Sequence, residues 1–167
     1  MHIDTSKRFG QRGDTGIAFK IVSSGEHSGM VLSNKLKREL DKNFGMQKNY
    51  PLLYAVCIYY LIKDKLELFD NLVICNDEDF RSVKKYLDLL FGDNVSYGSK
   101  DIACIGDLRG MLGDSKVRSY ADNIANVYRK KALKPLRRRQ KGIILNVCEI
   151  NYKKIELKIN EVKSVGG

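Results

Sequence analysis

No C-x-x-C pair occurs in this sequence, and neither of its two histidines, His2 and His27, has a partner at zinc-site spacing. A structural zinc site of that kind is thereby excluded. The four cysteines, Cys57, Cys75, Cys104 and Cys148, stand far apart and each sits in an apolar run. They read as small buried thiols of a reduced, cytoplasmic protein. Long apolar runs are missing too. The longest, Leu52 to Ile62, stops well short of the roughly 20 residues that cross a bilayer, so it reads as a core helix and no membrane segment is expected. No stretch reads as a signal peptide, an internal repeat, a low-complexity segment or a linker. Acids are the scarcer charge, 20 against 30 Lys and Arg, for a formal net charge of +10. Such an excess speaks to partners rather than to fold. Nucleic acid is the commonest partner of a compact basic domain, an acidic membrane surface comes second, and a lysine-rich composition with no ligand is the plain alternative.

What is present fits one domain over residues 1–167, long enough to bury a core without staples. The opening stretch pairs a short strand, His2-Ile3-Asp4, with a better one, Gly16 to Val22, in which Ile17, Phe19 and Ile21 alternate with Ala18, Lys20 and Val22. A turn-rich, Gly-containing basic loop joins them. Met30 to Leu32 forms a third short strand. Ser33 or Asn34 then caps a helix over Lys35 to Phe44, whose charged composition places it on the surface, and Gly45 ends it. Pro51 suits the first turn of the next helix, apolar nearly all round from Leu52 to Ile62 and ending near Phe69. Asn71 to Asn76 is an uninterrupted apolar strand, as expected of one covered on both faces. A helix follows from about Glu78 to Phe91, and Asp101 to Ile105 is one more strand. Gly106 to Gly113 is expected as a loop, followed by a helix capped by Asp114 or Ser115 and running from Lys116 to about Leu133. The basic segment 129–141 has eight Lys or Arg among thirteen residues. A β-hairpin over 142–162 closes the chain, its second strand alternating Ile155, Leu157 and Ile159 with Lys154, Glu156 and Lys158.

Certain acids in this layout need explaining. Asp4 lies in the middle of a strand, where a carboxylate is costly unless it is paired or binds a cation. Lys7, Arg8 or Arg12 could pair with it. Asn76-Asp77-Glu78-Asp79 ends a buried strand at the mouth of a helix, where α/β sheets place their sites. One of Glu78 and Asp79 is accounted for as the helix cap, but three acids in a row exceed what a cap requires. Asp122 sits beside the apolar face of its helix, with Asn126 one turn on.

Taken in order, these features resemble the RNase H-like superfamily. Asp4-Thr5-Ser6, followed by Gly10, Gly13 and Gly16-Ile17-Ala18, is similar to that superfamily's first strand with its metal-binding Asp, Gly-rich turn and Gly-x-Ala-like second strand. Val73-Ile74-Cys75-Asn76-Asp77 is similar to the later central strand that ends in a second Asp. Ala121-Asp122-Asn123-Ile124-Ala125 resembles the C-terminal helix that offers a third. The nearest likeness is to an uncharacterised microbial group with an Ile-Asp-x-Ser first strand and an Ala-Asp-x-Ile-Ala helix, and it covers roughly Met1 to Leu133. The resemblance implies an α/β fold with an RNase H-like mixed central sheet flanked by helices, here with a C-terminal β-hairpin. It departs from the family at Tyr50-Pro51-Leu52-Leu53-Tyr54, where the first core helix has no Glu, and near Gly106 to Gly113, which lack the loop histidine of some members. Asp79 or Glu78, or more remotely Glu39, would have to stand in for the missing acid.

That likeness implies phosphodiester hydrolysis at a carboxylate site for two divalent ions, Mg²⁺ or Mn²⁺, which favour oxygen ligands. Asp4 would bridge, Asp77 would be the second ligand and Asp122 an outer one, with Asp79 the candidate fourth. Lys7, Arg8 and Arg12 would grip a nucleic-acid backbone beside the metals, and Arg129, Lys130, Lys131, Arg137, Arg138 and Arg139 would add sequence-independent phosphate contacts. The alternatives are a nucleic-acid-binding module of the same fold without its metals, and an interaction module that self-associates through the edge of the C-terminal hairpin.

Overall fold

The computed structural model describes residues 1–112, 119–131 and 150–165. Its centre is a five-stranded mixed sheet. β1 (His2–Thr5), β2 (Thr15–Lys20) and β3 (His27–Leu32) form an antiparallel meander, while β4 (Asn71–Ile74) and β5 (Asp101–Cys104) run parallel to β1. The spatial order is β3-β2-β1-β4-β5, so the shortest opening segment occupies the middle of the sheet. Between β3 and β4 come α1 (Asn34–Phe44) and α2 (Tyr50–Ile62). α3 (Phe80–Phe91) and the single turn α4 (Val95–Gly98) join β4 to β5. α5 (Ile105–Leu112), α6 (Asp122–Lys131) and α7 (Tyr152–Val165) follow. The chain is thus a mixed α/β protein with helices on its sheet. Among the described residues no helix is long and apolar enough to cross a membrane.

The two faces of the sheet are covered differently, and the strand register explains how. Ile3 pairs with Phe19 and Ile17 with Met30, and this face joins the main core with α2, whose residues 52–58 are all buried. Asp4 pairs with Ala18, and Ala18 with Gly29, so these three project from the opposite face. There α6 lies against the strands through Ala125 and Tyr128, which form a small cluster with Ala18. The approach is close because the strands carry almost no side chain. A Cβ on Gly29 would stand 2.7 Å from the Tyr128 ring, and one on Gly16 would stand 2.8 Å from the Arg129 backbone nitrogen. The Gly16-x-Ala18 step is therefore a seat for α6.

The local signals hold in most places. Ser33 caps α1 by accepting from the Leu36 N–H at 3.1 Å, and Gly45 closes it in the left-handed region at φ 61°. Pro51 lies in the first turn of α2, which ends at Ile62, and a short 3₁₀ turn over Leu66–Leu68 replaces its expected continuation. α1 is not wholly a surface helix, because Lys37 is buried on it.

Three expectations are corrected. The loop expected over Gly106 to Gly113 is helical through Leu112. The helix expected from Lys116 begins only at Asp122, where the Ser119 hydroxyl accepts from the Ala121 N–H, and Asp114, Ser115 and Val117 lie outside the described residues. The C-terminal hairpin is not formed, because its second strand is α7. Ile155 and Ile159 fit both a two-residue and a helical period. Leu157 decides the matter, being 63% exposed, while Val162 completes the buried i, i+4, i+7 stripe against α1, α2 and α3. Residues 142–149 lie outside the described residues, and self-association through a hairpin edge loses its basis.

Candidate metal centre

Asp4 is placed by three neighbours in the sheet. β2 and β4 flank its strand, and Cys75, one residue beyond β4, donates its N–H to the Ile3 carbonyl at 3.1 Å, which brings it alongside. Two residues on, Asp77 accepts from the Thr5 hydroxyl. One atom each from Asp4, Cys75 and Asp77, the thiol sulfur and two carboxylate oxygens, thus lie within 4.8 Å of one another, a group able to hold a metal ion. Asp4 is only 9% exposed. Among the described ion pairs none reaches it, so the pairing with Lys7, Arg8 or Arg12 that would have explained its burial is not made.

The group floors a cleft of about 440 Å³ between the Thr5–Gln11 segment, the β4 end and the start of α6. Asp122 lines the same cleft. It stays exposed and outside the tight trio, yet its charge is felt at Asp4. Burial pushes the Asp4 carboxyl up from 3.8 to about 6, and the negative charges of Asp77 and Asp122 add to the rise. Hydrogen bonds from the Cys75 thiol and the Thr5 N–H act the other way. The Cys75 thiol is likewise pushed far up, by burial first and then by the two carboxylates. Both shifts run toward the neutral, proton-bearing form, as expected of donors crowded together without a cation.

Asp79 does not belong to this group. Its side chain caps α3 by accepting from the Ser82 N–H at 2.9 Å, which holds its carboxyl low, and it does not line the cleft. Glu78 is taken by the Phe9 N–H at 3.3 Å. From α2, where the resemblance calls for an acid, the side chain that arrives is Tyr54, fully buried with its hydroxyl 3.0 Å from the Cys75 sulfur.

The basic residues divide into two sets. Lys7 and Arg8 stand on the cleft, although the Lys7 ammonium turns back to donate to the Arg12 carbonyl. Arg12 instead lines a neighbouring hollow of about 250 Å³ with Arg38 and Tyr50, and Gln11 borders both. Lys37 holds this loop in shape: its buried ammonium donates to the Phe9 carbonyl (3.2 Å), the Gln11 carbonyl (2.9 Å) and the Thr15 hydroxyl (3.0 Å). Arg129 and Lys130 end α6, seven and eight residues beyond Asp122, so they sit about 10 Å along the helix axis from the cleft wall. Lys131 closes the helix, and Arg137, Arg138 and Arg139 lie outside the described residues.

Three residues at or near the centre escape sequence reasoning: Cys75, Tyr54 and Lys37. Cys75 reads as a core thiol because it continues an apolar run. The available signal was its position, since it directly follows Ile74, the partner of Ile3, and so comes beside Asp4.

Comparison with known proteins finds no family model, no curated protein and no solved structure that matches this chain.

Proposed function

We propose that this chain is a metal-dependent phosphodiesterase acting on nucleic acid, built on an RNase H-like fold. The observation that carries the reading is Asp4, a carboxylate buried at the centre of the sheet, in no ion pair among the described residues and within 4.8 Å of Asp77 and Cys75 at the floor of an open cleft. Support for the fold comes from the order of parts: a hairpin carrying the first acid, later an apolar strand leading to the second, then α3, α4, β5 and α5 before α6, which the third acid opens.

The donor set fits a divalent ion. Asp4 and Asp77 would hold it, Asp122 on the same cleft would be an outer ligand, and Mg²⁺ or Mn²⁺ suits the carboxylates. When bound, the ion supplies activation of a water and stabilisation of the developing charge on the leaving oxygen. The remaining parts orient the substrate. Arg8 presents an exposed guanidinium at the cleft for a backbone phosphate, and the loop that carries it is pre-set by Lys37. The net charge of +10 would draw a polyanion toward the cleft.

Hydrolysis of RNA, DNA and hybrid substrates with Mg²⁺ or Mn²⁺, in the wild type beside Asp4→Asn and Asp77→Asn, tests the reading. Both variants should lose the activity, and activity surviving both substitutions overturns it. A second reading, a nucleic-acid-binding module without catalysis, is favoured by one feature: the start of α2, Tyr50 to Tyr54, has no carboxylate where the resemblance calls for one, and Tyr54 is the side chain from it that reaches Cys75. Calorimetry separates the two, because the module would bind oligonucleotides in a salt-sensitive way without binding Mn²⁺.

A further inference from the structure

The acids explain why a cation would enter the cleft, but they do not explain the thiol. Cys75 is packed in the edge of the main core, yet packing alone does not set what its sulfur meets. Its backbone N–H is spent on the sheet, and its sulfur lies within 4.8 Å of two carboxylates and 3.0 Å from a phenol. A sulfur facing carboxylates is a poor choice for a core and a good one for a ligand set. We propose that Cys75 is a metal ligand, making the centre a mixed oxygen–sulfur site that selects a thiophilic divalent ion of the Zn²⁺, Co²⁺ or Cd²⁺ class over Mg²⁺. The proposal rests on the reading that Asp4 and Asp77 hold a divalent ion, but not on what that ion hydrolyses.

Three arguments converge on it. The first is span. Donor atoms around one ion at bonds of roughly 2.0–2.3 Å can be no further apart than about twice that length, and the three atoms here, within 4.8 Å of one another, need only a small closure to share an ion. The second is ligand chemistry. Carboxylates alone suit Mg²⁺ and Mn²⁺, whereas a thiolate shifts preference toward zinc-like ions. The third is the surroundings of the sulfur. The fully buried Tyr54 hydroxyl, 3.0 Å from it, can donate to the bound thiolate, the kind of outer contact that orients a metal-ligating side chain. Binding would exchange the thiol proton for a metal–sulfur bond, with the proton released to solvent and no change of oxidation state.

The test is a titration of the full chain with Co²⁺ and Cd²⁺, read by the ultraviolet sulfur-to-metal charge-transfer absorption. Calorimetric affinities for Zn²⁺, Cd²⁺ and Mg²⁺ accompany it, in the wild type and in Cys75→Ser. A charge-transfer band should appear in the wild type and vanish in Cys75→Ser. Affinity for Zn²⁺ and Cd²⁺ should fall at least tenfold, while that for Mg²⁺ should change less than threefold. A variant with Cys57, Cys104 and Cys148 all replaced by Ala should keep the band, so the assignment survives even if Cys75→Ser fails to fold. Absence of the band in the wild type, or Cd²⁺ binding unchanged in Cys75→Ser, overturns the proposal. The two readings also fail separately. Mg²⁺-dependent hydrolysis lost in Asp4→Asn with no sulfur band leaves the enzyme and removes the thiolate ligand. A sulfur band with no hydrolysis of any nucleic acid does the reverse.

Discussion

Replacing Asp4 by Asn should make the metal-free protein more stable at neutral pH, although it removes the residue the centre is built on. The folded protein raises the Asp4 carboxyl from 3.8 to about 6, with burial as the main cause. A rise of that size is worth about 3 kcal/mol between the two protonation states. The folded state therefore binds the Asp4 proton more tightly than the unfolded chain does. That contribution is fully present below pH about 4 and is lost as pH rises through about 6, beyond which the ionised carboxylate is a full liability to the fold. Asn cannot ionise. It keeps one acceptor for the Thr5 N–H, now at 2.7 Å, and gives up a contact with the Cys75 thiol, a loss of about 1 kcal/mol.

The net expectation is that Asp4→Asn matches the wild type within about 1 kcal/mol near pH 4 and exceeds it by about 2 kcal/mol at pH 7.5. For a chain of this length that is an increase in Tm of roughly 4–8 °C. Urea unfolding in EDTA, repeated from pH 4 to 8, reads the difference directly. A difference that stays flat across the range, or a variant less stable than the wild type at pH 7.5, refutes the argument. A saturable divalent ion should then reverse the order, because the wild type gains about 2.7 kcal/mol at a metal concentration a hundred times the dissociation constant and the variant gains little.

Two further outcomes follow from the scaffold. Lys37→Met keeps the apolar stem but leaves the Phe9 and Gln11 carbonyls and the Thr15 hydroxyl without their donor. It should cost about 1–3 kcal/mol, speed limited proteolysis within residues 7–14 and weaken oligonucleotide binding; an unchanged cleavage pattern would show that the loop does not depend on it. On α7, Ile159→Ala should cost about 2–5 kcal/mol while Leu157→Lys stays within about 0.5 kcal/mol, a pair of chemical melts that a strand with both residues on one face could not produce.

Most of the fold was legible where one signal dominated. The all-round apolarity of 52–62 could only be a buried helix, and the uninterrupted run at 71–76 could only be a covered strand. Legibility failed where two periods shared the same residues. Ile155 and Ile159 satisfy a strand and a helix equally, and the tie is broken by what α1, α2 and α3 leave room to bury, which is tertiary information. Lys37 failed for a related reason. On sequence it is one charge among many on α1, and only the neighbouring loop, folding back over it with its carbonyls inward, makes a buried ammonium satisfiable.

The site shows the same division at the level of single side chains. Asp4, Asp77 and Asp122 stood out because an acid in a strand, at a strand end or beside an apolar face needs a reason, and all three line one cleft. Asp79 stood out equally, and its reason proved to be the α3 cap, a local demand that the Asp77-Glu78-Asp79 run meets with its last member. Cys75 did not stand out, because a thiol in an apolar run needs no explanation until its neighbours are known. The register supplies that explanation: with Ile74 paired to Ile3, the next position comes beside Asp4, and the side chain that stands there meets a carboxylate. An aliphatic residue would have left Asp4 without the hydrogen bond that the thiol gives it. A thiol can donate to the acid while no ion is bound and ligate once one is, which ties the chemistry of the centre to the register of two short parallel strands.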